Sequence, residues 1–162
     1  MAQTWKDEDI SLDTIKDQTI AVIGYGIQGD AQANNMKDSG LNVIVGLKEG
    51  GTSWQKAKDD GHEVLSVSDA TKKADIIHIL IPDMVQAKVY KEEIAPYLSE
   101  GKALSFSHAA AIYWKWIDAP ENVDLIMIAP KGPGSKVRET YQQNFGTPSI
   151  VAVEQDKTGK AW

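Results

Sequence analysis

Gly24-Tyr25-Gly26-Ile27-Gln28-Gly29 sets three glycines at G-x-G-x-x-G spacing, directly after an apolar run and directly before a polar, helix-forming stretch. That context gives the glycines a chemistry. Gly24 permits the turn, Gly26 lets a pyrophosphate approach the backbone, and Gly29 lets the helix pack close to the strand. The anion would sit on free N–H groups at the helix N-terminus. Any tight strand-to-helix turn can use glycines, so the position between strand and helix points to dinucleotide binding more than the pattern itself does.

The end of the next apolar run bears on which dinucleotide. An NAD site usually carries Asp or Glu there to bond the ribose 2′-hydroxyl. This chain reads Val45-Gly46-Leu47-Lys48-Glu49-Gly50-Gly51-Thr52-Ser53. Lys48, Thr52 and Ser53 offer a cation and hydroxyl donors to a 2′-phosphate, which favours NADP. Glu49 opposes that reading, and a solvated loop with one lysine is the alternative.

A second chemistry is conceivable at His78, which interrupts the apolar run Ile76-Ile77-His78-Ile79-Leu80. A histidine there acts as general base if a hydroxyl lies within hydrogen-bond reach and a carboxylate orients the other ring nitrogen. Ser105 and Ser107 are the candidate nucleophiles, and Asp30 or Asp83 the candidate orienter. The competing reading is a satisfied core histidine. His62 reads as structural, no H-x-x-x-H spacing exists, and the absence of cysteine excludes thiolate metal sites and cysteine nucleophiles.

These residues need elements to hold them. Short β-branched runs at 19–24, 42–47, 75–81, 103–107, 124–129 and 149–153 suit strands buried on both faces of a parallel sheet. Polar helix-forming stretches at 28–39, 53–60, 68–74, 85–97 and 136–145 alternate with them. Gly40, Gly61, Gly101 and Gly146 fall where helix ends favour left-handed geometry, and the Ser68/Asp69 pair suits an N-cap. The alternation predicts an α/β, Rossmann-like, doubly wound and mostly parallel sheet in three α/β/α layers.

The 162 residues accommodate one such domain, with residues 1–17 as a short N-terminal extension. Seventeen Lys+Arg against 23 Asp+Glu give a net charge of -6, which opposes nucleic-acid or anionic-membrane partners and favours a small-molecule ligand in the cleft. The acidic start, MAQTWKDEDISL, does not fit a signal peptide, and a cytoplasmic location is the default expectation.

The segments TIAVIGYGIQGDAQANNMKDSGLNVIVGLKEGGTSW, IPDMVQ, ALSFSH and IAPKGPG followed by VR resemble, in order, the N-terminal domain of ketol-acid reductoisomerase. Members of that family use NADPH and two magnesium ions to convert acetohydroxy acids into dihydroxy acids. The resemblance implies that Tyr25, Gly26, Ile27 and Gln28 form the pyrophosphate turn and Lys48 and Ser53 the 2′-phosphate loop. It implies further cofactor contacts from Asp83, Met84, Val85, Gln86 and Gly134, and active-site positions for His108 and Lys131.

The departures from the family pattern carry their own expectations. The family's helical domain, which supplies the metal-binding carboxylates, would begin where this sequence stops. No metal site and no reductoisomerase activity are therefore expected of this chain alone. Ile27 stands where the family usually has a small hydroxyl residue, which is expected to weaken cofactor binding. With Asp30, Asn34, His78 and Ala109–Trp114 it forms a cluster of changes around the cleft, the pattern of an engineered, truncated scaffold. Such a scaffold could carry a designed esterase-like Ser/His/Asp site. Alternatively, Tyr113, Trp114 and Trp116 could anchor a homodimer or another binding surface.

Overall fold

The computed structural model describes residues 3–162. After two short 3₁₀ turns the chain runs β1 (Thr19–Ile23), α1 (Ile27–Asp38), β2 (Asn42–Gly46), α2 (Thr52–Asp59), β3 (Glu63–Leu65) and α3 (Val67–Lys73). It continues through β4 (Ile76–Ile79), α4 (Asp83–Val89), β5 (Ala103–Phe106), the short α5 (Ala110–Tyr113), β6 (Asp124–Pro130), α6 (Gly134–Gln142) and β7 (Ser149–Gln155). A π-helical turn at Tyr90–Ile94 and a 3₁₀ turn at Ala95–Tyr97 extend α4.

The strands form one sheet in the order β3-β2-β1-β4-β5-β6-β7, parallel except for the antiparallel edge strand β7. The doubly wound α/β expectation is met. The order reverses between β1 and β4, so the crevice for a ligand opens where the chain leaves β1 and β4. Strand β3 is only three residues long, too short for an apolar run to announce it.

Alternation along the strands divides the interior in two. Ala21, Ile23, Ile77, Ile79, Leu104 and Phe106 pack with Val67, Ala70, Tyr90 and Ile94 on the α3/α4 face. Val22 and Val45 pack with Ala33 and Ala57 on the face covered by α1 and α2. Because side chains alternate along a strand, His78 between Ile77 and Ile79, and Ser105 between Leu104 and Phe106, point toward α1. Register places those two side by side on neighbouring strands.

Two local expectations need correction. Ser66, not Ser68/Asp69, caps α3, its hydroxyl accepting from the Asp69 N–H at 3.1 Å. At the end of α6 the left-handed residue is Asn144, with φ 56°, whereas Gly146 has no positive φ. Asparagine tolerates that region because its short polar side chain bonds locally.

Candidate functional site

Gly24 turns the chain out of β1 with φ +101°, and a side chain on it would strike Ile81. A Cβ on Gly29 would lie 2.2 Å from the Gly24 carbonyl oxygen, so α1 leans against the turn only because that position is bare. Gly26, the N-cap of α1, has nothing within 4 Å of the position a Cβ would take. The turn therefore leaves open space before the first N–H groups of α1, which is the shape a phosphate needs. The tight turn at Gly24 and the close helix–strand packing at Gly29 are seen in this geometry, and Gly26 leaves the space that its expected role would need.

The open space continues into a cleft of about 480 Å³ between the N-terminal turns of α1, α2 and α6. Tyr25, Gly26, Ile27, Ser53, Gly134 and Arg138 are among its walls. Ile27 is 73% exposed, so its side chain stands at the rim and does not plug the turn. Lys48 is exposed, and its carbonyl accepts from the Gly51 N–H at 3.0 Å in the turn that starts α2. Ser53 lies in the first turn of α2, whose N-cap is Gly51.

Asp30 and Lys56 were not both visible to sequence reasoning. The two are ion-paired at the cleft, and Asp30 Oδ1 also accepts from Asn34 Nδ2 at 2.7 Å. Asn34 Nδ2 lies 2.9 Å from the Tyr25 hydroxyl, which donates to Asp60 at 2.8 Å, and His62 Nε2 lies 3.1 Å from Asn34 Oδ1. Burial and the acceptor Asp60 push the Tyr25 hydroxyl well above its ordinary pKa. Burial, with Lys37 second, pushes His62 down. This network fixes the side chain of the turn residue Tyr25 beneath the cleft and takes in the buried His62 through its Nε2. Lys136 and Arg138 in α6 are ion-paired with Glu139 at 2.7 Å and with Asp38 at 2.6 Å.

A second, smaller cavity of about 190 Å³ lies across the turn, walled by Gln28, Asp83, Gln86, Ser107, His108 and Pro130 among others. His108 is exposed; its Nδ1 accepts from the Ala110 N–H at 3.3 Å and lies 3.4 Å from Asp83 Oδ2. Gln86 is buried, donating to Ile81 O at 2.9 Å and Asp83 Oδ1 at 3.1 Å, while its Oε1 has no partner among the described residues. A buried bare acceptor in a cavity wall suits a ligand N–H or O–H donor. Met84 and Val85 are exposed. Lys131 is exposed beside Pro130, its N–H donating to Pro148 O at 2.8 Å.

The Ser/His/Asp arrangement is corrected by these contacts. His78 Nδ1 does lie 2.9 Å from Ser105 Oγ. Both residues are at most 5% exposed, neither lines either of the two cavities described, and the other ring nitrogen meets Gln32 Oε1 at 2.8 Å. An amide cannot stabilise an imidazolium as a carboxylate would. Asp30 faces Lys56 instead of His78, and Ser107 meets Gln32 rather than the histidine. Burial drives the His78 pKa down to about 4, so the ring is neutral and structural at physiological pH. Gln32, which the sequence reading passed over, sits one helical turn from Gln28, a spacing that could have marked it as a partner.

Among the described residues no group of three or more His, Asp or Glu side chains could hold a metal ion, and no helix is long and apolar enough to cross a membrane. Tyr113, Trp114 and Trp116 are exposed, with Tyr113 and Trp114 in edge-to-face contact.

Comparisons with known proteins agree with the geometry. The family model of the acetohydroxy acid isomeroreductase NADPH-binding domain matches residues 14–162. The ketol-acid reductoisomerase (NADP(+)) of Nitrosopumilus maritimus is 86% identical over the whole chain, and that of Cenarchaeum symbiosum 75%. This chain spans about half of each, 49% of their length. The NADH-preferring ketol-acid reductoisomerase of an uncultured archean superposes with a TM-score of 0.93 at 52% identity, over 96% of this chain and 48% of that one. A semialdehyde dehydrogenase NAD-binding protein from Cupriavidus necator, at TM-score 0.72 and 21% identity, shares the fold. The expected redesign of the cleft and the designed hydrolase gain no support from these relatives. The turn, the two cavities and the match over residues 14–162 make this chain a member of the NADPH-binding domain family of ketol-acid reductoisomerase.

Proposed function

We propose that this chain holds NADP(H) along the sheet's C-terminal edge and serves as the cofactor half of a ketol-acid reductoisomerase. The observation that carries the reading is the open space at Gly26, set between the first turns of α1 and α2 and closed by Gly134 on the third side. The pyrophosphate is held by the first N–H groups of α1, and the 2′-phosphate by Lys48 with the first turn of α2 at Thr52 and Ser53. The redox end of the cofactor then faces the smaller cavity, where Gln86 Oε1 offers a free acceptor and His108 an exposed imidazole.

The cofactor supplies the hydride, and this chain's residues bind and orient it. Metal-assisted polarisation of a ketol acid requires several convergent oxygen ligands. Reduction by this chain unaided is therefore not expected. Titration of the protein with NADPH, followed by the cofactor's fluorescence, tests the reading. Saturable one-to-one binding is the expected result, and no binding at millimolar NADPH overturns it.

A second reading concerns the exposed aromatic face of Tyr113, Trp114 and Trp116, at 74%, 63% and 46% exposure. Large rigid aromatics at such exposure suit an interface, and a second copy of this chain is the occupant proposed. Sedimentation over a concentration series is expected to show a monomer–dimer equilibrium; a monomer at every concentration ends that reading.

A further inference from the structure

A line of polar side chains runs from the wall of the smaller cavity into the sheet, and one backbone carbonyl sets its direction. The carbonyl oxygen of Gly132 can only accept, and Gln28 Nε2 lies 2.9 Å from it. Gln28 must therefore turn its nitrogen toward that loop and its Oε1 toward α1. Gln28 Oε1 accepts from Gln32 Nε2 at 3.0 Å, which leaves Gln32 Oε1 facing His78 Nε2 at 2.8 Å. That nitrogen must carry the ring's proton. The neutral ring then has a bare Nδ1, which accepts from the Ser105 hydroxyl at 2.9 Å. Ser107 joins at the fork, its Oγ 3.2 Å from Gln32 Nε2.

Each link is a donor matched to an acceptor, and reversing any one would leave two donors or two acceptors face to face. The orientation therefore passes unbroken from Gly132 to Ser105. At one end the line is buried, with His78 5% and Ser105 3% exposed. At the other it fixes Gln28, in the first turn of α1, and the loop whose next residues open α6. Both adjoin the cofactor cleft, whose walls include Ile27 and Gly134, because Gly134 at the start of α6 packs directly on the Ile27–Gln28 peptide.

We propose that His78, in its Nε2–H form, is a positioning residue that aligns Gln32, and through it Gln28 and the Gly132 loop, for the dinucleotide. The proposal rests on the NADP(H) reading above. A merely space-filling residue at this position would support the sheet equally well, as any apolar side chain between Ile77 and Ile79 would. The polar line explains why a histidine here has both nitrogens satisfied while the side chains beyond it reach the cavity.

The test is nitrogen-15 NMR of the histidine-labelled chain together with NADPH titration of three variants. Wild type should show His78 protonated at Nε2 and bare at Nδ1. Gln32→Glu still accepts from His78 but can no longer donate to Gln28. It should shift the Gln28 side-chain amide resonance and weaken NADPH about tenfold, with little change in melting temperature. His78→Met should weaken binding similarly, and His78→Gln, which keeps an N–H for Gln32, should restore most of it. Protonation at Nδ1, an unmoved Gln28 amide in Gln32→Glu, or wild-type NADPH affinity in a folded His78→Met overturns the proposal. If wild type fails to bind NADPH, the functional reading falls by itself, while the ring tautomer and the Gln28 resonance still decide whether the directed line exists.

Discussion

Gly134 rests on the peptide of Ile27: a Cβ at position 134 would lie 2.0 Å from the Ile27 carbonyl oxygen and 2.9 Å from the Gln28 nitrogen. Residues more than one hundred positions apart thus join two helix N-termini by backbone contact alone. No flexible side chain at that contact can give way. Gly134→Ala must push α6 off the pyrophosphate turn, and it should destabilise the fold by about 1–3 kcal/mol. Urea denaturation measures that loss, and NADPH titration should show weakened binding in the variant that remains folded.

The 2′-phosphate assignment has a signature of its own. Lys48→Ala and Ser53→Ala remove groups that would meet only the extra phosphate, so each should weaken NADPH roughly tenfold and leave NADH affinity within about twofold. Parallel titrations with both cofactors check the difference. Equal loss for the two cofactors would place these residues against a part that NADPH and NADH share.

Ile27 stands in the first turn of α1 with its side chain at the rim of the cleft. It contributes a branched apolar surface where a hydroxyl could donate to a phosphate. Ile27→Ser should therefore raise NADPH affinity about threefold to tenfold, the range expected for one added hydrogen bond of ordinary net strength. An unchanged or lower affinity would show that the phosphates do not pass this position.

Much of this arrangement was legible in the residues. Continuous apolar runs announced six of the seven strands, and the glycine spacing announced the turn, because both depend on local chain chemistry. What escaped was long-range. Gln32 looks like any polar helix residue until His78 on β4 and Ser107, just past the end of β5, approach it. Asp30 looked available to a histidine, but the packing of α2 against α1 gives it to Lys56. The His78–Ser105 pair was foreseen as a contact with two readings, a catalytic base or a satisfied core histidine, and only the packed sheet, in which the pair lines neither described cavity, favours the second.

His78 also makes stability depend on pH, in a direction that follows from its burial. Its pKa falls from an ordinary 6.5 to about 4 in the folded protein. Between those values the unfolded chain binds a proton that the folded chain does not. Stability must then fall as pH drops from 6.5 toward 4, and His78 adds no slope above 6.5, where both states are neutral. The full span is worth roughly 3 kcal/mol. His62, likewise lowered by burial, adds loss in the same direction. Urea unfolding at intervals between pH 5 and 7.5 should show this decline in wild type and a shallower one in His78→Met, which has no proton to take up. Identical slopes in the two proteins would mean that the buried ring ionises without cost, contrary to its position between two neutral partners in the interior of the sheet.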